Sequence, residues 1–126
     1  MAQQFENSLM NVKKEQQLFV DAYNKAVKLQ AYNEFEKAYK LLVPLAEETE
    51  DANDQHILGD MYYGVLGVSR SYKKAMNWFR LSAEQGNAEA QHALGWMYER
   101  KEGVFFRDYK EAVKWYRLSA EQGNAE

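Results

Sequence analysis

The chain has 126 residues, a net charge of −3 and 28% charged residues, which is typical of one globular domain that buries roughly two-thirds of its unfolded surface. This balance gives no strongly basic face, so no nucleic-acid partner is expected. Cysteine is absent, which excludes disulfides, thiolate nucleophiles and cysteine-ligated zinc. No apolar run approaches the roughly 18 residues of a membrane span, so no membrane insertion is expected.

The start of the chain, residues 1–5, has neither the charged nor the apolar region of a signal peptide. We expect a soluble chain, but a mature exported protein would look the same, so the compartment stays open. Strand-like alternation of β-branched residues is absent and the only proline is Pro44, which predicts an all-α fold.

The N-terminal residues, 1–30, carry a heptad-like seam. Apolar side chains recur at alternating spacings of four and three if polar Gln16 fills one gap: Phe5, Leu9, Val12, Phe19, Tyr23 and Ala26. An unbroken helix over about 4–30 would be ~40 Å long. Its first half either caps the first repeat by folding back over it, or frays, or pairs with another chain; capping is favoured.

The rest of the chain repeats itself. The segment Arg80–Glu89 recurs letter for letter as Arg117–Glu126, and Gln55–Tyr62 closely matches Gln91–Tyr98, at offsets of 37 and 36. One residue has therefore been inserted after Val104, in a loop, where an insertion costs little. A divergent upstream copy is marked by Phe35, Ala38, Leu41 and Ala46.

These matches divide the chain into four parts. Residues 1–30 form an N-terminal helical segment that includes the first helix of a divergent unit, and residues 31–54 form its second helix. Residues 55–86 form the second unit, and residues 87–126 form the third unit and the start of a next one.

Each unit is predicted to be a helix pair. Apolar stripes at helical spacing begin at Tyr72 and Tyr109. Gly86 and Gly123 suit helix ends, and Asn87 and Asn124 suit the N-caps that follow. The small residues of the units, Gly59, Gly95, Ala75 and Ala112, would let paired helices approach closely.

The repeated pattern is Leu-Gly-x-x-Tyr, then Gly-Val, then Tyr-x-x-Ala-x-x-Trp, then Ala-Glu-Gln-Gly. At this spacing it resembles the SEL-one-like repeat (SLR), a relative of the tetratricopeptide repeat, over about Phe35–Glu126. The resemblance implies a right-handed α-α superhelical solenoid of about two and a half to three SLR helix pairs. It also implies a bacterial scaffold or adaptor with no conserved catalytic residues. We expect no cofactor and no metal, and the bacterial cytoplasm and periplasm both stay open. Pro44 within a helix and Thr49 in place of a terminal glycine depart from the family pattern.

A partner-binding groove is predicted on the concave face lined by the first helix of each pair. Leu58 and Tyr62 should be core. By analogy with tetratricopeptide relatives, the offsets two before, two after and five after Leu58 and its equivalent Leu94 should then line the groove: His56, Asp60, Tyr63, His92, Trp96 and Glu99. Trp96 is either an exposed anchor for a protein or peptide partner or a side chain packed on a neighbouring helix.

Other constellations have simpler explanations. His56 and His92 share a register, and duplication of a polar position explains them better than a metal site does. Trp78 and Trp115, with their aromatic neighbours, are expected in the core rather than in a ligand cage. No nucleophile elbow, metal-ligand spacing or phosphate loop is present, so an enzyme is a remote alternative.

The chain stops at residues 124–126, where another first helix should begin. The preceding helix would then expose an apolar flank, because terminal repeats normally carry a polar cap. A fragment of a longer array is the favoured explanation, and contact of that flank with another molecule is the alternative. The second functional hypothesis is therefore a structural module that forms homo-oligomers through the N-terminal helix and the uncapped end.

Overall fold

The computed structural model describes residues 2–64 and 66–123, and these residues form six α-helices packed in pairs. Each helix packs against its successor in the chain, so the three pairs follow one another in sequence order. The predicted all-α helical repeat is therefore confirmed. The helices are α1 (Ala2–Leu29), α2 (Tyr32–Thr49), α3 (Ala52–Gly64), α4 (Tyr72–Glu84), α5 (Ala88–Arg100) and α6 (Tyr109–Glu121).

The first helix is continuous over 28 residues. Its second half carries the buried side chains Phe19 and Ala26, whereas residues 2–11 are all exposed. The heptad-like seam is therefore covered only in part, and Phe5 is 70% exposed. The expectation that the first half folds back over the first repeat is wrong, because α1 is one continuous helix and its residues 2–11 are all exposed.

The departures from the family pattern change the end of α2 but not its pairing. Pro44 lies inside the helix, exposed to solvent. Without a terminal glycine, the helix ends with Glu50 in the left-handed conformation at φ 54°, a conformation that non-glycine residues adopt only at a cost. The Thr49 hydroxyl donates a hydrogen bond to the Leu45 carbonyl (2.8 Å).

The second unit begins at Ala52, earlier than the predicted boundary at 55. The Asp51 carboxylate accepts a hydrogen bond from the Asp54 backbone N–H (3.0 Å), so Asp51 caps the helix. The N-cap predicted at Asn87 is confirmed, since its side chain accepts from Ala90 N (2.8 Å). The other predicted cap, Asn124, lies outside the described residues.

Close helix approach explains two glycines at equivalent positions. A Cβ atom on Gly59 would lie 2.5 Å from the Phe79 ring, and one on Gly95 would lie 2.7 Å from the Tyr116 ring. Real Cβ contacts are not that short. Any larger residue at these positions would push the two helices of a pair apart.

The buried side chains form two clusters, one among α1, α2 and α3 and one mainly among α4, α5 and α6. Leu58 is fully buried as predicted, and Tyr62 is partly buried. Trp115 is a core residue, 5% exposed. Trp78 packs on the first cluster but is only half-buried, which corrects the expectation that both tryptophans are simply core.

Candidate functional site

Four of the six predicted groove residues line one pocket, here called the α3/α5 pocket. Asp60 and Tyr63 come from α3, and His92 and Trp96 come from α5, which is the first helix of the next pair. The pocket has a volume of about 230 Å³, which suits one large side chain. Its remaining lining residues are Phe79, Ala93 and Met97.

Trp96 is the most exposed large apolar side chain of the pocket, with 41% of its surface accessible. Its indole N–H donates a hydrogen bond to the Tyr63 hydroxyl (3.1 Å). The Arg100 guanidinium carbon lies 4.9 Å from the ring centroid, in cation–π range. The ring is therefore exposed but held in place, so little rotamer entropy remains to be lost when a partner binds it.

Tyr63 connects α3 to the turn after α5. Its hydroxyl accepts from Trp96 and donates to the Glu102 carboxylate (2.8 Å). Burial raises the pKa of Tyr63, the hydrogen bond to Glu102 raises this pKa further, and the hydrogen bond from Trp96 acts against the rise. The phenol therefore stays neutral at physiological pH and can keep both hydrogen bonds.

His56 lies beside the pocket, between two carboxylates. Its Nε2 is 3.6 Å from Asp60 Oδ2, and its Nδ1 is 3.7 Å from Glu89 Oε2. Burial raises the pKa of Asp60, His56 acts against that rise, and Glu89 adds to it. Asp60 thus faces the pocket on one side and His56 on the other.

Glu99, the sixth predicted residue, is directed to a different contact. Its carboxylate accepts a hydrogen bond from the Tyr116 hydroxyl on α6 (3.0 Å). The His92 ring lies 5.2 Å from the Tyr116 ring. Among residues 2–64 and 66–123, no group of three His, Cys, Asp or Glu side chains could hold a metal ion.

Sequence reasoning missed three features around this surface. Glu89, in the first turn of α5, pairs with His56 across the repeat boundary. Phe105 and Phe106 are 88% and 79% exposed in the α5–α6 turn. The insertion after Val104 was the available signal, because the preceding repeat has only Ser69 where these two phenylalanines stand.

The successive helix pairs are those of a helical-repeat protein, and a family model matches the same pairs. The Sel1 repeat model matches residues 52–87 and 88–124, which correspond to the pairs α3–α4 and α5–α6. Because these matches cover more than half of the sequence, the chain belongs to the Sel1 repeat family. Such repeats typically mediate protein interactions and are usually non-catalytic.

Solved structures support the same assignment. A Sel1 repeat protein from Oxalobacter formigenes is 31% identical with a TM-score of 0.65, and the match covers 70% of this chain and 66% of that one. A protective antigen present in uropathogenic Escherichia coli strains, which displays an SLR fold, is 28% identical with a TM-score of 0.78 and is matched over 98% of this chain. Cysteine rich protein B of Helicobacter pylori, 22% identical with a TM-score of 0.66 and 90% coverage of both chains, shares the fold.

These relatives come from bacteria. The chain spans just under two-thirds of the length of the Oxalobacter formigenes protein and 26% of the Escherichia coli antigen. No curated protein matches the sequence. Within the described part of the chain, every helix is too short or too polar to cross a membrane.

Proposed function

We propose that this chain is a non-catalytic binding scaffold that holds a peptide segment of a partner protein in the α3/α5 pocket, with Trp96 as the anchor. The observation that carries the proposal is the convergence of Asp60, Tyr63, His92 and Trp96 on one pocket. Interface hot spots are enriched in tryptophan and tyrosine, and both are available here in a fixed arrangement.

The chemistry of the pocket favours one apolar or aromatic side chain of the partner. Phe79 and Met97 line the pocket but are only 2% and 0% exposed, so the apolar surface open to a partner comes mainly from Trp96. Asp60 and His92 add polar groups that can orient a peptide backbone beside the inserted side chain. Similarity to bacterial proteins supports a bacterial scaffold, with the cytoplasm and the periplasm both open.

The test is peptide selection followed by mutation. Peptides are selected from a random display library on the immobilised full chain, and their affinities are measured for the wild type, Trp96→Ala and Phe105→Ala. Removing a hot-spot tryptophan should weaken binding by about thirtyfold or more. Phe105 is an exposed aromatic outside the pocket, so Phe105→Ala is the matched control and should bind normally. Equal affinity of the wild type and Trp96→Ala would reject the proposal.

A second candidate function is self-assembly through α1. Phe5 and Leu9 are 70% and 46% exposed, and they lie within residues 2–11 of α1, all of which are exposed. Pairing of this half with a second copy would bury the uncovered end of the heptad-like seam. Solution mass over a wide concentration range tests this candidate, and a chain that is monomeric throughout would eliminate it.

A further inference from the structure

A second concave surface, here called the α2/α4 groove, lies between the second helices of two successive pairs. Its volume is about 540 Å³, and it shares no residue with the α3/α5 pocket. Its lining residues are Ala46, Glu47, Glu50, Gln55, Trp78, Leu81, Glu84 and Gln85.

The apolar part of the groove is formed by Trp78, Leu81 and Ala46. Trp78 packs on the cluster among α1, α2 and α3 but is half-buried, and Leu81 is 47% exposed. No acceptor for the Trp78 indole N–H lies among the described residues. The groove therefore offers the accessible part of an indole ring, an exposed aliphatic side chain and an indole N–H with no partner among the described residues.

The polar part of the groove is acidic. Glu47, Glu50 and Glu84 line it, and lysine and arginine are absent from its lining. None of the three carboxylates forms an ion pair with another described residue. The amide of Gln85 is already engaged, because it donates to the Glu50 carbonyl (2.9 Å) and to Gln55 Oε1 (2.7 Å). The charge of this groove is thus uncompensated from within the described chain.

In the next repeat, the tryptophan equivalent to Trp78 has a cation beside its ring. Trp115 occupies the same register as Trp78, and Lys114 Nζ lies 4.8 Å from its ring centroid. The Trp115 indole N–H donates to Glu111 (3.1 Å). In the α2/α4 groove the position of Lys114 is taken by neutral Asn77.

The position of Glu111 is taken by Lys74 in the α2/α4 groove. The Lys74 ammonium is directed elsewhere, 5.6 Å from the Tyr62 ring centroid. Trp78 therefore lacks both the stacked cation and the carboxylate acceptor that Trp115 has.

We propose that the α2/α4 groove binds an arginine side chain of a partner polypeptide. The aliphatic part of the arginine packs on Leu81, and its guanidinium stacks on Trp78 and bonds to the surrounding glutamates. Arginine fits better than lysine, because its planar group stacks on aromatic rings and bonds carboxylates in a bidentate manner. This interaction surface is independent of the proposed Trp96 anchor.

The proposal is tested by the indole N–H signals in the ¹H–¹⁵N spectrum of the full chain, which has three tryptophans. The probe is a blocked hexapeptide with two arginines, and its control is the same peptide with citrulline, which keeps the shape but not the charge. The Trp78 signal should shift saturably with the arginine peptide while the Trp115 signal stays in place. The affinity of the citrulline peptide should be lower by at least about tenfold.

Two variants at exposed positions sharpen the test. Glu47→Gln combined with Glu84→Gln should weaken the arginine peptide by about tenfold, whereas Glu121→Gln, at the register of Glu84 in the next repeat, should not. Asn77→Lys supplies the cation that Lys114 supplies to Trp115 and should compete with the peptide to a similar extent.

The proposal would be overturned if the Trp78 signal did not move or if the two peptides bound with equal affinity. It would also be overturned if both variants bound the arginine peptide as the wild type does. Trp96→Ala should leave this titration unaltered, which separates its outcome from that of the peptide scaffold proposed above.

Discussion

The three tryptophans of the chain occupy three environments. Trp115 is 5% exposed, Trp78 is half-buried at the α2/α4 groove, and Trp96 is 41% exposed. The cost of removing each side chain should follow this order of burial, because the loss combines transferred area with the cavity left behind.

We expect Trp115→Ala to lower the free energy of unfolding by about 3 kcal/mol or more. Trp96→Ala should lower it by only about 1 kcal/mol, because 41% of the Trp96 surface is already accessible to solvent. Urea denaturation of both variants measures the difference. If Trp96→Ala were the more damaging change, Trp96 would be a core residue and the anchor assignment would fail.

The glycine at the α3–α4 contact gives a second prediction at this scale. Gly59→Ala places a Cβ atom 2.5 Å from the Phe79 ring, so overpacking should destabilise the fold by about 2 kcal/mol. The matched control on the same helix is Gly64→Ala, whose Cβ would meet only the Leu66 side chain at 3.5 Å. That control should be neutral within about 0.5 kcal/mol. Similar stabilities for the two variants would contradict the close helix approach.

Asp54 gives the fold a pH dependence. Burial raises the pKa of Asp54 from 3.8 to about 6, and Asp51 adds to the rise. Its Oδ2 is buried with no hydrogen-bond partner among the described residues. The folded state therefore binds the proton more tightly than the unfolded state, so this group's contribution to stability rises as the pH falls from about 6 to about 4.

The variant Asp54→Asn should consequently be more stable than the wild type above pH 6, and this advantage should disappear below about pH 4. Denaturant midpoints measured from pH 4 to pH 8 provide the comparison. Asp51→Asn keeps a capping side chain but removes the neighbouring charge, so it should reproduce part of the gain. A difference between Asp54→Asn and wild type that does not change with pH would contradict the raised pKa.

Much of the α3/α5 pocket could be predicted from register alone. Leu58 fixes which way the first helix faces, and the offsets from it place Asp60 and Tyr63 on the pocket side. The different environments of Trp78 and Trp115 could not be predicted, because both share one register. The two environments differ because Lys114 precedes Trp115 whereas Asn77 precedes Trp78. These neighbouring positions are not part of the repeated pattern.

Among the helices, α1 is longer than the part of it that packs on the rest of the chain. Residues 2–11 are exposed on every side, so deleting residues 1–11 should change the midpoint of thermal unfolding by only a few degrees. Phe19→Ala, which removes a side chain 5% exposed, should cost about 3 kcal/mol. Calorimetry of both variants tests this, and a large loss on truncation would mean that the first half of α1 is packed.

The helices themselves were predictable, because apolar periodicity and caps mark them. The predicted start of the second unit and the predicted fold-back of α1 both differ from the structure, for physical reasons. Asp51 starts α3 before the segment of strong repeat identity begins, so sequence self-comparison placed the boundary too late. The continuity of α1 follows from good local helix formers, whereas a folded-back cap would have needed a break that residues 2–29 do not contain.

At the scale of the molecule, the same hydrogen bonds recur in successive repeats. The buried Ser82 hydroxyl donates to the Ala52 carbonyl (2.6 Å), and Ser119 donates to Ala88 (2.8 Å). The Gln85 amide likewise donates to Gln55 (2.7 Å), and the equivalent pair of glutamines recurs in the next repeat (2.8 Å). Each pair of helices is thus closed by its own set of contacts, as expected for a solenoid whose stability is a sum of local terms.

Such a solenoid presents surfaces rather than one enclosed site, and this chain presents two that differ in chemistry. The α3/α5 pocket combines an oriented tryptophan with mixed polar groups. The α2/α4 groove combines a tryptophan with three carboxylates. A partner that inserts an apolar side chain in the first and an arginine in the second would gain from bivalency without any further contact.

Peptide binding in the α3/α5 pocket is tested by the indole ¹H–¹⁵N spectrum of the full chain during titration with a peptide selected on it. Because peptide binding is proposed to use the α3/α5 pocket, the Trp96 signal should shift saturably while the buried Trp115 signal stays in place. A peptide that binds while the Trp96 signal remains unchanged would contradict the account and move the binding site away from α3 and α5.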